Sequence, residues 1–116
     1  MDIQVLKEEL REFARQRDWG QFHTPKNLIM ALNGEVGELN EIFQWLTDQQ
    51  SSDLSDNVKE HASQELADIL IYLIRLCDVL GIDPELAISE KIKINSIKYP
   101  VSLSKGNAVK YNKRND

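Results

Sequence analysis

The chain has one cysteine, Cys77, set inside the apolar run IYLIRLCDVL. An intrachain disulfide is therefore excluded, and the thiol reads as a small core residue rather than a nucleophile. Long apolar runs are missing too. The longest, residues 69–80, contains Arg75 and Asp78 and is too short and too charged to cross a bilayer. No signal peptide opens the chain, so the expectation is a cytoplasmic protein with no membrane partner. Basic residues are few, terminal and not arrayed along one helix, which argues against a nucleic-acid polymer as partner. Strand-type alternation, low-complexity tracts and internal repeats are also lacking, which leaves an all-α class.

What is present fits one domain spanning residues 1–116, large enough for a core without disulfides or structural metals. The net charge of −5 hides an asymmetry. Residues 1–90 carry 7 basic and 18 acidic side chains, and residues 91–116 carry 7 basic and 1 acidic. This is either a solvated acidic body with a basic tail from about residue 101, or a pair of surfaces, one for metal and one for phosphates.

Ile3, Leu6, Leu10 and Phe13 form a first amphipathic stripe, with Glu8, Glu9, Arg11 and Glu12 on its wet side, and Trp19-Gly20 ends that helix. Thr24-Pro25 opens a second helix, a hydroxyl cap followed by proline at the first helical position. It runs to about residue 46, with Gly34 and Gly37 inside it. Residues 47–57 read as a polar loop without periodicity. A third helix starts near Val58, is apolar nearly all round from Leu66 to Leu80 and should be the most buried element; Gly81 ends it. Asp83-Pro84 opens a fourth helix to about Lys98, stopped by Pro100. The expected architecture is four-helix and bundle-like. Because three short neighbours cannot cover the third helix, a homo-oligomer is expected.

Within the second helix, Leu28, Leu32, Leu39, Ile42 and Leu46 mark a core stripe. The position completing it between Leu32 and Leu39 is Glu35, and Glu38 lies about 60° around the helix. A bare carboxylate among leucines costs several kcal/mol, so it needs a cation or a proton. Glu65 and Asp68 repeat the spacing on the third helix. Residues three apart on a helix are neighbours, so each pair offers oxygens to one point between packed helices. All-oxygen ligation of that kind favours Mg²⁺, with Mn²⁺ a substitute. A di-iron bundle would need Glu-x-x-His, which neither His23 nor His61 supplies; His61 reads as exposed in the first turn of its helix and His23 as a loop residue near the site. Carboxylate-held magnesium commonly handles phosphates, for which Lys91, Lys98, Lys105 and Lys110 are the candidate cations. Trp19 and Trp45 bracket the first pair and serve either as a stacking slot for a base or as core anchors.

The segments RDWGQFHTPKNLIMALNGEVGELNEIFQW, ELADILIYLIRL and KIKINSIKYP resemble the MazG-like all-α nucleoside triphosphate pyrophosphohydrolases, and within them the dCTP pyrophosphatase branch. The likeness runs from about Leu6 to Tyr111. It implies Mg²⁺-dependent cleavage of a nucleoside triphosphate between the α- and β-phosphates. Carried across, it makes Glu35, Glu38, Glu65 and Asp68 the metal ligands; among these, Glu38 and Glu35 are the candidate catalytic carboxylates. It makes Trp19, Trp45, Tyr72, Lys91, Asn95 and Tyr99 the substrate-binding residues, and implies dimers that pair as tetramers. One departure is Leu10, where some animal members carry a histidine associated with the nucleotide pocket.

The reading is a homo-oligomeric enzyme acting on dCTP and 5-modified dCTP, in which a carboxylate deprotonates the attacking water. Glu38 is the expected base, because it lies off the core stripe and nearer the open side. The rivals are a broad-specificity housecleaning hydrolase and a non-catalytic helical oligomer that binds nucleotide.

Overall fold

The computed structural model describes residues 1–114. Every regular element among them is helical. Four long helices match those read from periodicity: α1 (Ile3–Gln16), α2 (Pro25–Phe43), α4 (Asp56–Leu80) and α5 (Pro84–Lys98). Each is opened by a side chain that satisfies an otherwise unpaired first-turn amide. Asp2 accepts from Val5, Thr24 from Asn27, Ser55 from Val58 and Asp83 from Leu86. The Ser55 cap starts α4 at Asp56, slightly earlier than the apolar pattern indicated.

Two departures are local. The stretch expected to be a structureless loop contains a one-turn helix, α3 (Asp48–Ser51), closed by a reciprocal capping box between Thr47 and Gln50. The tail contains a second such helix, α6 (Val101–Ser104), and a 3₁₀ turn at Tyr111–Lys113. Single turns are too short to show periodicity and depend on capping or side-chain contacts. The last two tail residues, Asn115 and Asp116, lie outside the described residues.

The chain forms two compact units, Met1–Ile82 and the part from Asp83 onwards. In the first, α4 packs against both α2 and α1. Ala14, Leu28, Ala62 and Ile74 are its buried apolar residues. The helix expected to be most buried is thus the hub of this unit, yet one of its faces is bare. Leu66, Leu70 and Leu73 are 49%, 45% and 40% exposed. No helix among the described residues is long and apolar enough to cross a membrane.

Helices α1 and α4 end in the same way. The Trp19 amide donates to Ala14 and the Asp18 amide to Arg15; the Ile82 amide donates to Cys77 and the Gly81 amide to Asp78. This Schellman pairing needs a left-handed residue just past the helix. Gly81 supplies it at φ 70, and Asp18 supplies it at φ 53. Aspartate tolerates that region better than most side-chain-bearing residues, and the reversal folds Trp19 back toward α1.

In the second unit, the Tyr111 ring meets Tyr99 edge-on at 6.1 Å. The Lys98 ammonium lies 4.8 Å from the centre of the Tyr111 ring. The Arg114 guanidinium donates to the Lys98 carbonyl at 2.8 Å.

Candidate active site

Three of the four carboxylates singled out by spacing converge. Glu35 and Glu38 from α2 and Glu65 from α4 each place an oxygen within 4.8 Å of the others. Glu65 is 9% exposed, and one oxygen each of Glu35 and Glu65 is buried without a hydrogen-bond partner. Buried polar atoms are normally paired, so these two oxygens are what a ligand or ion would satisfy. The electrostatics agree. A hydrogen bond with Glu65, removal from water, and the charges of Glu38, Asp68 and Glu65 push the Glu35 carboxyl up to about 7. Glu38 is also raised, first by its hydrogen bond with Glu65 and then by that group's charge. Carboxylates this close cannot all ionise without a cation.

Asp68, two residues short of the exposed Leu70, stands at the margin of the cluster. It is exposed and is not among the three converging groups, but its charge acts on Glu35 and it lines the neighbouring cavity. That cavity, about 310 Å³, is lined by Leu10, Phe13, Trp19, His23, Asp68, Ile71, Tyr72 and Arg75. It lies wholly within the first unit. Trp19 and Tyr72 are therefore aromatic walls of one space, with Phe13 edge-on to Trp19 at 5.7 Å and His23 edge-on at 6.3 Å. The Arg17 guanidinium covers the Phe13 ring at 3.6 Å.

The remaining sequence candidates are not among the residues lining this cavity. Trp45 follows α2 and is 85% exposed, outside the cavity. Lys91 and Asn95 are exposed on α5 in the second unit, and the Tyr99 hydroxyl accepts from the Tyr111 amide at 3.3 Å. His23, read as a loop residue near the site, lines the cavity. His61 is exposed as expected but sits in the second turn of α4, with Nε2 3.6 Å from Glu65 Oε1. The spacing of four between those two residues was the available signal.

Sequence reasoning missed the polar side of the cavity. Arg75 and Asp78 were read only as charges that bar a membrane span. Instead the Arg75 Nε–H donates to His23 Nδ1 at 3.1 Å, and its Nη1 donates to Asp78 Oδ2 at 3.3 Å. Arg11, assigned to the wet side of α1, grips the same carboxylate, with Nε 2.7 Å from Oδ2. That bond holds the Asp78 carboxyl below its ordinary range. Burial, and then the Arg75 charge, lowers the pKa of His23, which keeps its imidazole neutral and Nδ1 free to accept.

Comparison with known proteins shows what the whole chain is similar to. The family model described as the MazG-like family matches residues 30–113. The chain is 48% identical over 102 residues to dCTP pyrophosphatase 1 of Rattus norvegicus, covering 86% of this chain and 60% of that protein. It is 46% identical over 102 residues to dCTP pyrophosphatase 1 of Homo sapiens, with the same coverage. The chain thus spans about 60% of the length of these relatives. A crystal structure of a pyrophosphatase from Archaeoglobus fulgidus superposes with a TM-score of 0.79 at 43% identity, covering 84% of this chain and 91% of that one.

Proposed function

This chain belongs to the MazG-like family, and from that premise we propose that it hydrolyses a deoxynucleoside triphosphate, preferentially dCTP and 5-modified dCTP, to the monophosphate and pyrophosphate. The observation that carries the reading is the pair of buried, unpartnered oxygens on Glu35 and Glu65 beside an aromatic-walled cavity. Relatives named dCTP pyrophosphatase 1 and a pyrophosphatase of known structure support the substrate class.

The donor set is all carboxylate and fits a hard divalent cation, Mg²⁺ with Mn²⁺ as substitute. Glu35, Glu38 and Glu65 would hold it, with Asp68 as the fourth ligand on the cavity side. When bound, such an ion neutralises charge on phosphate oxygens and eases deprotonation of water. The chain's own residues do the rest. Glu38, exposed at the edge of the cluster, takes the proton from the attacking water. The water oxygen bonds to the α-phosphorus, the bond to the α,β-bridging oxygen breaks, and its electron pair leaves with pyrophosphate. Trp19 and Tyr72 sandwich the base and exclude water from that end.

Trp45, Lys91, Asn95 and Tyr99 enter this proposal as substrate contacts on the sequence resemblance alone. A homo-oligomer completes it: the bare Leu66, Leu70 and Leu73 face suits a second copy.

Pyrophosphate release should appear with dCTP and Mg²⁺, disappear in EDTA, and fall at least a hundredfold in Glu38→Ala. Near-normal turnover by that variant would remove Glu38 as the base. A flat response across natural and modified dNTPs would favour the broad-specificity alternative. Binding of dCTP without product would favour the non-catalytic one.

A further inference from the structure

Five of the residues lining the cavity, Leu10, Phe13, Trp19, Ile71 and Tyr72, are apolar or aromatic, and its polar members are His23, Asp68 and Arg75. Asp68, Tyr72 and Arg75 succeed one another on one face of α4, so Arg75 lies about 10 Å along the helix axis from Asp68. Asp68 marks the end of the cavity nearest the acidic cluster, and Arg75 lies toward the other.

Arg75 is held on two sides. Its Nε–H is committed to His23 Nδ1 at 3.1 Å and one Nη1 hydrogen to Asp78 at 3.3 Å. Asp78 is itself fixed by Arg11 from α1 at 2.7 Å and is only 7% exposed. The Nη2 amino group makes no hydrogen bond among the described residues. A guanidinium clamped in its plane presents its remaining donors in a fixed direction. Arginine has no acceptor, so whatever complements it must accept. Asp78 balances the charge of only one of the two arginines it binds, and of these three groups only Arg75 lines the cavity.

We infer that Arg75 is the base-reading residue, donating from its Nη2 amino group to the N3 acceptor of a cytosine and so selecting cytosine over uracil nucleotides. This rests on the nucleotide reading above. Uracil has the same outline but carries a hydrogen on N3, which would point at the guanidinium and leave a donor facing a donor. The cavity volume of about 310 Å³ lies at the small end of ligand sites, which suits a one-ring base. Asp78 and Arg11 are positioning residues, acting only through Arg75.

The test compares dCTP with dUTP, using kcat/KM for pyrophosphate release in Mg²⁺. The wild-type chain should favour dCTP by about tenfold or more, the order expected of one hydrogen bond from a charged donor. Arg75→Met should bring the ratio close to 1. Arg75→Lys, which keeps the charge without the planar fork, should also lose the preference. A wild-type ratio near 1, or a wild-type ratio retained by either variant, overturns the assignment. If the wild-type chain releases no pyrophosphate from either nucleotide, the catalytic reading fails separately. Calorimetric titration with dCMP and dUMP then decides: tighter dCMP binding that Arg75→Met abolishes supports the assignment, and equal binding overturns it.

Discussion

The Glu65 carboxyl against Glu35, removal from water and the neighbouring negative charges push the Glu35 carboxyl up to about 7 from the ordinary 4.5. Between those two values the folded chain keeps a proton that the unfolded chain has released. Its contribution to stability is therefore present at low pH and lost as pH rises through that interval. His23 works the other way: its pKa is depressed from 6.5, so stability falls as pH drops below 6.5 and the unfolded chain protonates first. Because the windows overlap, the diagnostic quantity is the difference between two chains. In EDTA, Glu35→Gln should melt a few degrees above wild type at pH 8 and show no advantage at pH 5. Equal melting at both values would mean that the crowding of carboxylates costs nothing. Glu35 was legible from sequence because an acid broke an apolar stripe. Arg75 was not, because its partner His23 is 52 residues away and the Arg11–Asp78 pair is 67 apart.

The helices follow from short-range chemistry, and so do their ends. Asp18 shows how much depends on one left-handed residue, at φ 53. It closes α1, and the bond from the Trp19 amide to Ala14 turns the cavity's aromatic wall inward. Asp18→Gly should leave stability within ~0.5 kcal/mol, since glycine enters this region freely. Asp18→Val should cost about 1–2 kcal/mol and shift tryptophan emission as Trp19 loses its packing. Urea unfolding followed by fluorescence reads both effects, and an unaltered Val variant would show that the αL position does not place Trp19. The openings at Thr24 and Asp83 were recognisable as residue types, whereas the Ser55 cap lay inside a stretch read as loop. The single turns α3 and α6 were not, because one turn carries no period for a pattern to reveal.

On the scale of the whole molecule, Leu66, Leu70 and Leu73 are too exposed on α4 for a finished surface. The homo-oligomer proposal places a second copy there. Leu70→Glu should then reduce the mass measured by light scattering to that of a smaller species, and an unchanged mass would move the contact to another face. By itself the sequence determined the all-helical class, the capped starts of α2 and α5, and the acids that sit out of pattern, because propensity, capping and periodicity act within a few residues. Tertiary structure decided which acids meet, with Asp68 left at the margin and Trp45 outside the cavity. It also joined α1, the His23 loop and α4 around Arg75. Those juxtapositions depend on how α1 and α2 pack on α4, and that packing is set by contacts between residues far apart in the chain.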